Sequence, residues 1–368
     1  MSKFKLLLTF LFIINSCLAF GQKTQIQVSA SLTGFKDSTK FYLVNLDSTQ
    51  QKDSTYLING KLEFNCTISE PLIFRLYTDF EKEFFYINFW IEQKSISLSG
   101  SKDKFSDLQI EGSPINDIYK SVLDKVATLY ALREKLVDQS FKEANKKYFD
   151  GIWKSISILD KDVLKIRVET IANFNPSLVT LKELYFLRND FTTDSLRLLF
   201  AKFPPSLKNT KYGEVISQYL LTEAIKLGSY APEITGVDFN KKETKLSSFR
   251  NKVVLLDFWA SWCGPCRESI KDLAELYKKY QSSGFEIFSF SLDDDFNAWK
   301  TASTQEHINW TNVSDLKAFY SKQPAAYKIR SIPQTFLIDR EGKIIGIYRG
   351  FSKDGTAKLE RDIQKSIQ

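Results

Sequence analysis

Cys263 and Cys266 are separated only by Gly264 and Pro265, and they stand directly after the apolar run from Val253 to Phe258. A helical pattern begins immediately after them, so the pair is predicted to lie where a strand ends and a helix begins. Unpaired N–H groups and the macrodipole at a helix N-terminus stabilise a thiolate, which is the reactive form of cysteine. Cys263 is therefore predicted to attack. Cys266, about one helical turn on, can close a disulfide with it.

The same spacing would also suit half of a zinc site or a structural disulfide. A tetrahedral zinc site needs two more ligands, and beyond the first twenty residues the sequence offers only Cys66 and the single histidine, His307. A disulfide across so short a loop removes little entropy from the unfolded chain and adds little stability. We therefore favour redox exchange and expect neither a metal nor a cofactor. His307 is predicted to be a surface residue rather than a catalytic base.

Asp257 is the acidic residue nearest to the dithiol on its N-terminal side. It lies six residues before Cys263, among Val, Leu, Phe and Trp residues. Burial there would raise the pKa of its carboxyl group and let it exchange a proton with Cys266. The alternative is a capped acid with no role in the chemistry.

The N-terminal residues resemble a secretory signal, with lysines followed by a short apolar run from Leu6 to Ile14. Small residues in Ala19-Phe20-Gly21 favour cleavage before Gln22. An uncleaved anchor is the alternative, although the run is short for a membrane helix. A second alternative is Ile14-Asn15-Ser16-Cys17, which resembles a relaxed lipoprotein box in which Cys17 would be acylated. The predicted location is the periplasm or cell envelope.

The remaining composition says little about partners. The chain has 368 residues and a net charge of +7, with lysines and acids interspersed. No basic cluster alternates with stacking aromatic residues, so we expect no nucleic-acid partner. Cys66 falls on the apolar side of an alternating pattern and is predicted to be buried and inert; the alternative is a reactive or dimer-forming thiol. The oligomeric state is left open.

Three regions follow the predicted signal peptide of residues 1–21. Period-two alternation across residues 22–112 predicts an all-β domain, a small antiparallel sandwich or barrel. Asn59-Gly60, between Tyr56–Ile58 and Leu62–Phe64, is the strongest hairpin signal in it.

Residues 113–228 have helical periodicity and are predicted to form an α-helical connector. Two apolar stripes support this prediction: Ile115, Ile118, Val122, Val126, Leu129, Leu132 and Leu136, and then Trp153, Ile156, Leu159, Val163 and Ile166. Residues 229–368 alternate strands with helices, which predicts an α/β domain with a mixed sheet covered on both faces.

The segment from Val254 to Arg267 resembles the active-site segment of thioredoxins, and the segment from Ile329 to Thr335 resembles the second signature of that family. The second resemblance implies a cis peptide bond between Ile332 and Pro333, beside the dithiol. Ala231-Pro232-Glu233 and an insertion between about residues 293 and 328 are closer to the exported TlpA/ResA-like branch. The resemblance covers about residues 229–366 and implies a thioredoxin-like fold.

By this resemblance Cys263 is the nucleophile that forms a mixed disulfide with a client, and Cys266 is the thiol that resolves it. Pro333 would shape the substrate groove, where the Ile332 backbone could pair with an extended peptide. The alternative is a proline that merely ends a strand. Trp262 would shield the sulfurs and form the rim, although it could also serve packing alone. Gly264 and Pro265, between the cysteines, are predicted to bind the substrate as well.

Two further features of the sequence bear on the domain organisation and on the proton path. Asp53-Ser54-Thr55 followed by Asn59-Gly60-Lys61 resembles a β-rich domain of unknown function that precedes such modules in bacterial cell-envelope proteins. The strand Phe288-Ser289-Phe290-Ser291 has no lysine where small thioredoxins often place one near the buried acid, which leaves the proton path open.

The sequence thus predicts a multi-domain, exported thiol:disulfide oxidoreductase that reduces protein disulfides, in envelope repair or cytochrome c maturation. Its expected partners are protein thiol and disulfide clients and a membrane or envelope electron donor. A peroxiredoxin-like peroxidase is one alternative, although Ala260 stands where such sites have Thr or Ser three residues before the nucleophile. The other alternative is a non-enzymatic binding module.

Overall fold

The computed structural model describes residues 23–48, 52–92, 94–143, 146–173, 175–223 and 225–368. The predicted signal peptide, its cleavage site and Cys17 lie outside the described residues. The chain forms two compact units, the first ending at Asn116 and the second beginning at Asp117.

The first unit is built from eight described strands in two four-stranded sheets. The strands are β1 (Thr24–Thr33), β2 (Lys40–Asn45), β3 (Lys52–Tyr56), β4 (Lys61–Ile68), β5 (Leu72–Phe80), β6 (Glu83–Ile91), β7 (Ile96–Ser101) and β8 (Gln109–Glu111). The sheet orders are β4-β1-β7-β8 and β3-β2-β5-β6. Alternate residues of both sheets enter one buried apolar cluster, which accounts for the period-two pattern in the sequence. The β-rich character of this region is confirmed.

The Asn59-Gly60 turn differs from the predicted hairpin. Both residues have the expected positive φ, 50° and 73°, and Ile58 forms an isolated bridge with Lys61. The strands on either side nevertheless belong to different sheets, because β3 pairs with β2 and β4 pairs with β1. Non-local pairing therefore overrides the local signal, and the hairpin prediction is wrong beyond the turn itself.

Cys66 lies on β4 and points into the buried cluster of the first unit. Its side chain is 7% exposed, and its thiol donates a weak hydrogen bond to the Ile26 carbonyl at 3.7 Å. Burial raises the pKa of the Cys66 thiol to about 11. The predicted burial is confirmed.

The second unit begins with helices. They are α1 (Ile115–Lys142), whose first two residues belong to the first unit, α2 (Lys146–Asn173), α3 (Leu178–Leu187), α4 (Thr193–Ala201), α5 (Pro205–Lys208) and α6 (Lys211–Leu221). Ser177 and Thr192 accept backbone N–H groups in the first turns of α3 and α4, which explains where these helices start. No helix within the described ranges is long and apolar enough to cross a membrane.

The two long helices bury less than their sequences predict. Val122 and Val126 of α1 are buried, but Leu132 on the same predicted stripe is 46% exposed. At the start of α2 Ile152 is buried whereas Trp153 is 42% exposed; further along the helix, Ile156 and Val163 of the predicted stripe are buried. A one-residue offset rotates a side chain by about 100° around a helix, so the predicted stripe was misplaced at its start.

The C-terminal part of the second unit is an α/β domain around a seven-stranded sheet of order β10-β9-β13-β12-β11-β14-β15. Its elements are β9 (Thr235–Val237), β10 (Glu243–Lys245), β11 (Val253–Trp259), α7 (Gly264–Tyr280), β12 (Phe285–Ser291), α8 (Phe296–Gln305), β13 (Thr311–Ser314), α9 (Lys322–Ala326), β14 (Gln334–Ile338), β15 (Ile344–Arg349) and α10 (Lys353–Ile367). β11 is parallel to β12 and antiparallel to β14, so the predicted mixed sheet is confirmed.

Every residue of β11 is buried, because both faces of the sheet are covered at this strand. On one face Phe258 packs against Tyr327 and Phe336, with ring centroids 5.3 and 6.1 Å apart. On the other face α7 and α10 are joined where Lys279 and Tyr280 both donate to Glu360. The end of β11, where the dithiol follows, is therefore held from two sides.

The burial of Cys66 predicts an unreactive thiol. In a chain carrying Cys17→Ser, Cys263→Ser and Cys266→Ser, we expect the remaining thiol to react with an aromatic disulfide reagent only after denaturation. A thiol with a pKa of about 11 is thiolate to only ~0.1% at pH 8, and burial also blocks access. Native-state reaction at the rate of a free peptide thiol would contradict the prediction.

Candidate active site

The two cysteines form a disulfide at the start of α7. Their S–S distance is 2.00 Å and their Cα atoms are 5.2 Å apart. Cys263 is the N-cap residue, and its sulfur accepts the backbone N–H of Cys266 at 3.2 Å. The predicted position between strand and helix is thus confirmed. The same N–H lies where it would stabilise a thiolate on Cys263 after reduction.

The surroundings of the two sulfurs differ. Cys266 is fully buried and Cys263 is 5% exposed, whereas Trp262, Gly264 and Pro265 are exposed around them. Trp262 is 56% exposed and so presents its indole ring to solvent next to Cys263. The three residues predicted to contact the substrate are thus exposed next to Cys263 in the chain.

Asp293 ties down the turn between β11 and α7. One oxygen of its buried carboxylate accepts the Ser261 hydroxyl at 2.5 Å, and the other accepts the Ser261 backbone N–H at 2.9 Å. The Ser291 hydroxyl also donates to this carboxylate at 2.6 Å. Sequence reasoning missed Asp293. A signal was available, because an acid two residues after the end of β12 must lie at the same sheet edge as the end of its parallel neighbour β11.

Asp257 lies in the middle of the sheet and is 1% exposed. One carboxylate oxygen accepts the Ser289 hydroxyl at 3.0 Å, and the indole N–H of Trp310 donates to that hydroxyl at 2.9 Å. Among the described residues its other oxygen, Oδ1, has no hydrogen-bond partner.

Burial decides the ionisation of this acid. Desolvating a carboxylate costs several kcal/mol, whereas one hydrogen bond to the charged form returns only about 1.5–3 kcal/mol. The pKa of Asp257 is accordingly raised to about 7, with the Ser289 bond only partly opposing the shift. Ser289 belongs to the strand that has no lysine, so a neutral hydroxyl faces the acid there.

Asp257 shares its sheet face with α7. Ser289 lies opposite Asp257 in the register of β12, and the Trp310 ring that bonds Ser289 packs against Tyr277 of α7, with centroids 5.7 Å apart. The helix that begins with the dithiol therefore covers the acid.

The Ile332-Pro333 peptide bond is cis, as the resemblance implied. Ile332 is half-buried and Pro333 is buried. Pro333 borders a cavity of about 210 Å³ between α7 and the start of α10, together with Ser269, Phe351 and Leu359. This cavity has a predominantly apolar wall beside the active-site helix.

The structure gives less support to a role for His307 or to metal binding. His307 is exposed, as predicted. In the parts of the chain that the structure describes, no group of three or more His, Cys, Asp or Glu residues could hold a metal ion.

Comparison with known proteins finds one family match in each unit. Residues 226–363 match the Redoxin family, and residues 25–119 match DUF4369, a domain of unknown function. The thiol-disulfide oxidoreductase ResA of Bacillus subtilis (strain 168) is 33% identical over 128 residues, which cover 35% of this chain and 70% of that protein. This chain belongs to the ResA-like thiol-disulfide oxidoreductases.

ResA of Geobacillus kaustophilus (strain HTA426) is 31% identical over 145 residues, covering 39% of this chain and 78% of that protein. A solved thiol-disulfide oxidoreductase from Bacteroides fragilis NCTC 9343 is 31% identical, covers 36% of this chain and 98% of its own, and has a TM-score of 0.34. The ResA-like assignment confirms the predicted enzyme class and the thioredoxin-like C-terminal domain. The DUF4369 match confirms the resemblance predicted for the first third.

The raised pKa of Asp257 predicts a pH-dependent effect of Asp257→Asn on stability. The folded protein keeps a proton on Asp257 up to about pH 7, whereas the unfolded chain releases it near the ordinary value of 3.8. Asp257 therefore costs stability increasingly between about pH 4 and 7, and the cost is constant above that range. We expect Asp257→Asn to change Tm little at pH 4 and to raise it by roughly 5 °C at pH 8.

The control is Asp138→Asn, which changes an exposed acid on α1. Its Tm difference from the natural protein should be small at both pH values. An Asp257→Asn protein whose Tm difference is the same at pH 4 and pH 8 would contradict the raised pKa.

Proposed function

We propose that this ResA-like enzyme is an exported reductant of protein disulfides, with Cys263 as the nucleophile and Cys266 as the resolving thiol. The observation that carries the proposal is the placement of Cys263 at the N-cap of α7, with the Cys266 N–H on its sulfur. A nucleophile there would be stabilised as the thiolate, while the fully buried Cys266 would be reserved for the internal step.

The proposed reaction runs in two exchanges. The Cys263 thiolate attacks one sulfur of the client disulfide, forming a mixed disulfide and releasing the other client sulfur as a thiolate. The Cys266 thiol gives its proton to the Asp257 carboxylate and attacks Cys263, which releases the second client thiolate. The enzyme ends as the Cys263–Cys266 disulfide, and the client has gained two electrons.

Asp257 suits this role because an acid with a pKa of about 7 can both accept and return a proton near neutral pH. The Ser289 hydroxyl donates to one of its oxygens and itself accepts the indole N–H of Trp310, and Oδ1 is left for the exchange. The oxidised enzyme must be reduced again, for which we propose a membrane or envelope electron donor.

The substrate groove is proposed to run across Cys263 between Trp262 and the Ile332-Pro333 bond. An extended client peptide would pair with the Ile332 backbone, and the cavity beside Pro333 would receive a side chain. Gly264 and Pro265 are exposed at the same rim, and an added Cβ at Gly264 would meet nothing within 4 Å, which leaves room for a client over the helix start.

We further propose the organisation expected from the sequence: a signal peptide at residues 1–21, a β-rich sandwich or barrel at 22–112, a helical connector at 113–228 and the thioredoxin-like redox domain at 229–368. The N-terminal domain would select the site of action or the client. We consider two roles for the redox domain: cytochrome c maturation and general repair of envelope proteins.

Cysteine substitutions test the chemistry. Cys263→Ser should reduce client disulfides no faster than the uncatalysed reaction, because no accessible nucleophile remains. Cys266→Ser should accumulate a mixed disulfide on Cys263, visible as an added client mass that disappears with dithiothreitol. The control, Cys66→Ser, should keep full activity. Turnover by Cys263→Ser, or trapping of clients on Cys266 in that variant, would refute the assigned roles.

The trapped clients would also discriminate between the two biological roles. Captured apocytochromes would indicate cytochrome c maturation, whereas a broad set of envelope proteins would indicate repair. The equilibrium with glutathione tests the direction: a reductant should have a potential near about −270 mV, as in thioredoxin, rather than about −120 mV, as in the oxidant DsbA.

Export predicts a specific mature N-terminus. Mass spectrometry of the protein from cells should find a chain that begins at Gln22. A diacylglyceryl group on Cys17 would instead establish a lipid anchor, and an intact Met1 in the envelope fraction would contradict cleavage.

A further inference from the structure

The segment from Asp315 to Arg330, here called the 315–330 segment, leads from the end of β13 to the Ile332-Pro333 bond and contains α9. Its Tyr327 side chain packs into the sheet against Phe258, and the Tyr327 hydroxyl donates to the Pro232 carbonyl at 2.6 Å. One side of the segment is thus part of the α/β core.

The other side of the 315–330 segment is covered by α3 and α6. The Tyr185 hydroxyl of α3 donates to the Phe319 carbonyl at 3.0 Å. The Tyr185 ring stacks on Tyr320, with centroids 5.5 Å apart, and Tyr212 of α6 meets Tyr320 edge-on at 5.6 Å. Tyr185 and Tyr212 are buried, so these contacts belong to a packed interior.

The contact continues along the segment. Glu214 of α6 pairs with Lys322 at 3.2 Å, and Asp190, just beyond α3, lies 3.7 Å from Arg330. The Lys328 ammonium lies 4.5 Å from the centre of the Tyr219 ring of α6. Helices that precede the redox domain in the sequence therefore hold the segment that leads to Pro333.

Phe319 connects this packing to the dithiol. Its ring centroid is 6.2 Å from that of Trp262, the exposed residue next to Cys263. Leu316 and Ala318 have φ of 55° and 48°, a backbone region disfavoured for residues with a Cβ. Residues persist in such conformations when the surrounding structure fixes them, and the Tyr185 hydrogen bond lies directly beside this stretch.

We propose that α3 and α6 position the client-binding rim of the enzyme, with Tyr185 as the positioning residue. Tyr185 holds Phe319, and Phe319 with Trp262 forms an aromatic wall beside Cys263. That wall fits a client whose reacting cysteine is flanked by an apolar or aromatic side chain. This inference rests on the proposed function, because it assigns the client preference of the same site.

The test uses the full chain and two disulfide-bonded peptides that differ only in having Phe or Ser beside the reacting cysteine. The natural enzyme should prefer the Phe peptide, and Tyr185→Phe should reduce that preference about three- to ten-fold, the effect of one lost hydrogen bond. The loss should lie in KM rather than kcat. Reduction of hydroxyethyl disulfide and the equilibrium with glutathione should stay within a factor of two.

The matched control is Tyr219→Phe, which removes a hydroxyl from α6 while keeping the ring under Lys328; its peptide preference should be unchanged. Phe319→Ala should abolish the preference, and adding Tyr185→Phe to it should cause no further loss, since Tyr185 acts through Phe319. Hydrogen exchange of the 315–330 segment should be faster in Tyr185→Phe than in Tyr219→Phe.

An enzyme that turns over both peptides equally would overturn the proposal, as would a folded Tyr185→Phe with unchanged preference and unchanged exchange. An equal loss toward hydroxyethyl disulfide would also overturn it, because it would show an effect on the dithiol rather than on the rim. Failure of the proposed function is distinguishable: the natural enzyme would then reduce none of the three disulfides, while hydrogen exchange would still report on Tyr185.

Discussion

The N–H of Cys266 points at the sulfur of Cys263, and much of the second unit serves to keep it there. The N–H at the start of α7 can bond the Cys263 sulfur only if Cys263 is held in place. Cys263 follows β11, a strand that is buried along its whole length. Asp293 then fixes the intervening turn from the neighbouring strand through Ser261. The sheet, the turn and the helix thus determine one sulfur position together.

The same arrangement places an acid where the fold would be more stable without a charge. Asp257 is surrounded by packed aromatic and aliphatic side chains, and the groups that approach it are the neutral hydroxyl of Ser289 and, behind it, the indole of Trp310. A nearby cation would stabilise the carboxylate and lower its pKa, which would make it a weaker proton acceptor for a thiol. A neutral partner preserves an acid that changes its protonation near pH 7.

Sequence reasoning located the dithiol, the acid and the cis peptide bond because each is carried by a short local pattern. It failed where the outcome depends on distant parts of the chain. Asn59-Gly60 adopts its turn, yet the flanking strands pair elsewhere. The Phe319 carbonyl is bonded by a residue 134 positions away, and no local pattern in the sequence encodes that pairing.

The helices before the redox domain belong to the same compact unit, so the structural boundary lies before the start of the family match. The Redoxin match begins at residue 226, whereas the compact unit begins at Asp117. A fragment cut at the start of the match would retain the disulfide but lose Tyr185 and Tyr212, and Tyr320 would lose its aromatic neighbours. Such a fragment would keep the dithiol, but the side of the 315–330 segment that α3 and α6 cover would be exposed to solvent. Selectivity measured on it would describe a different surface from the one this chain presents.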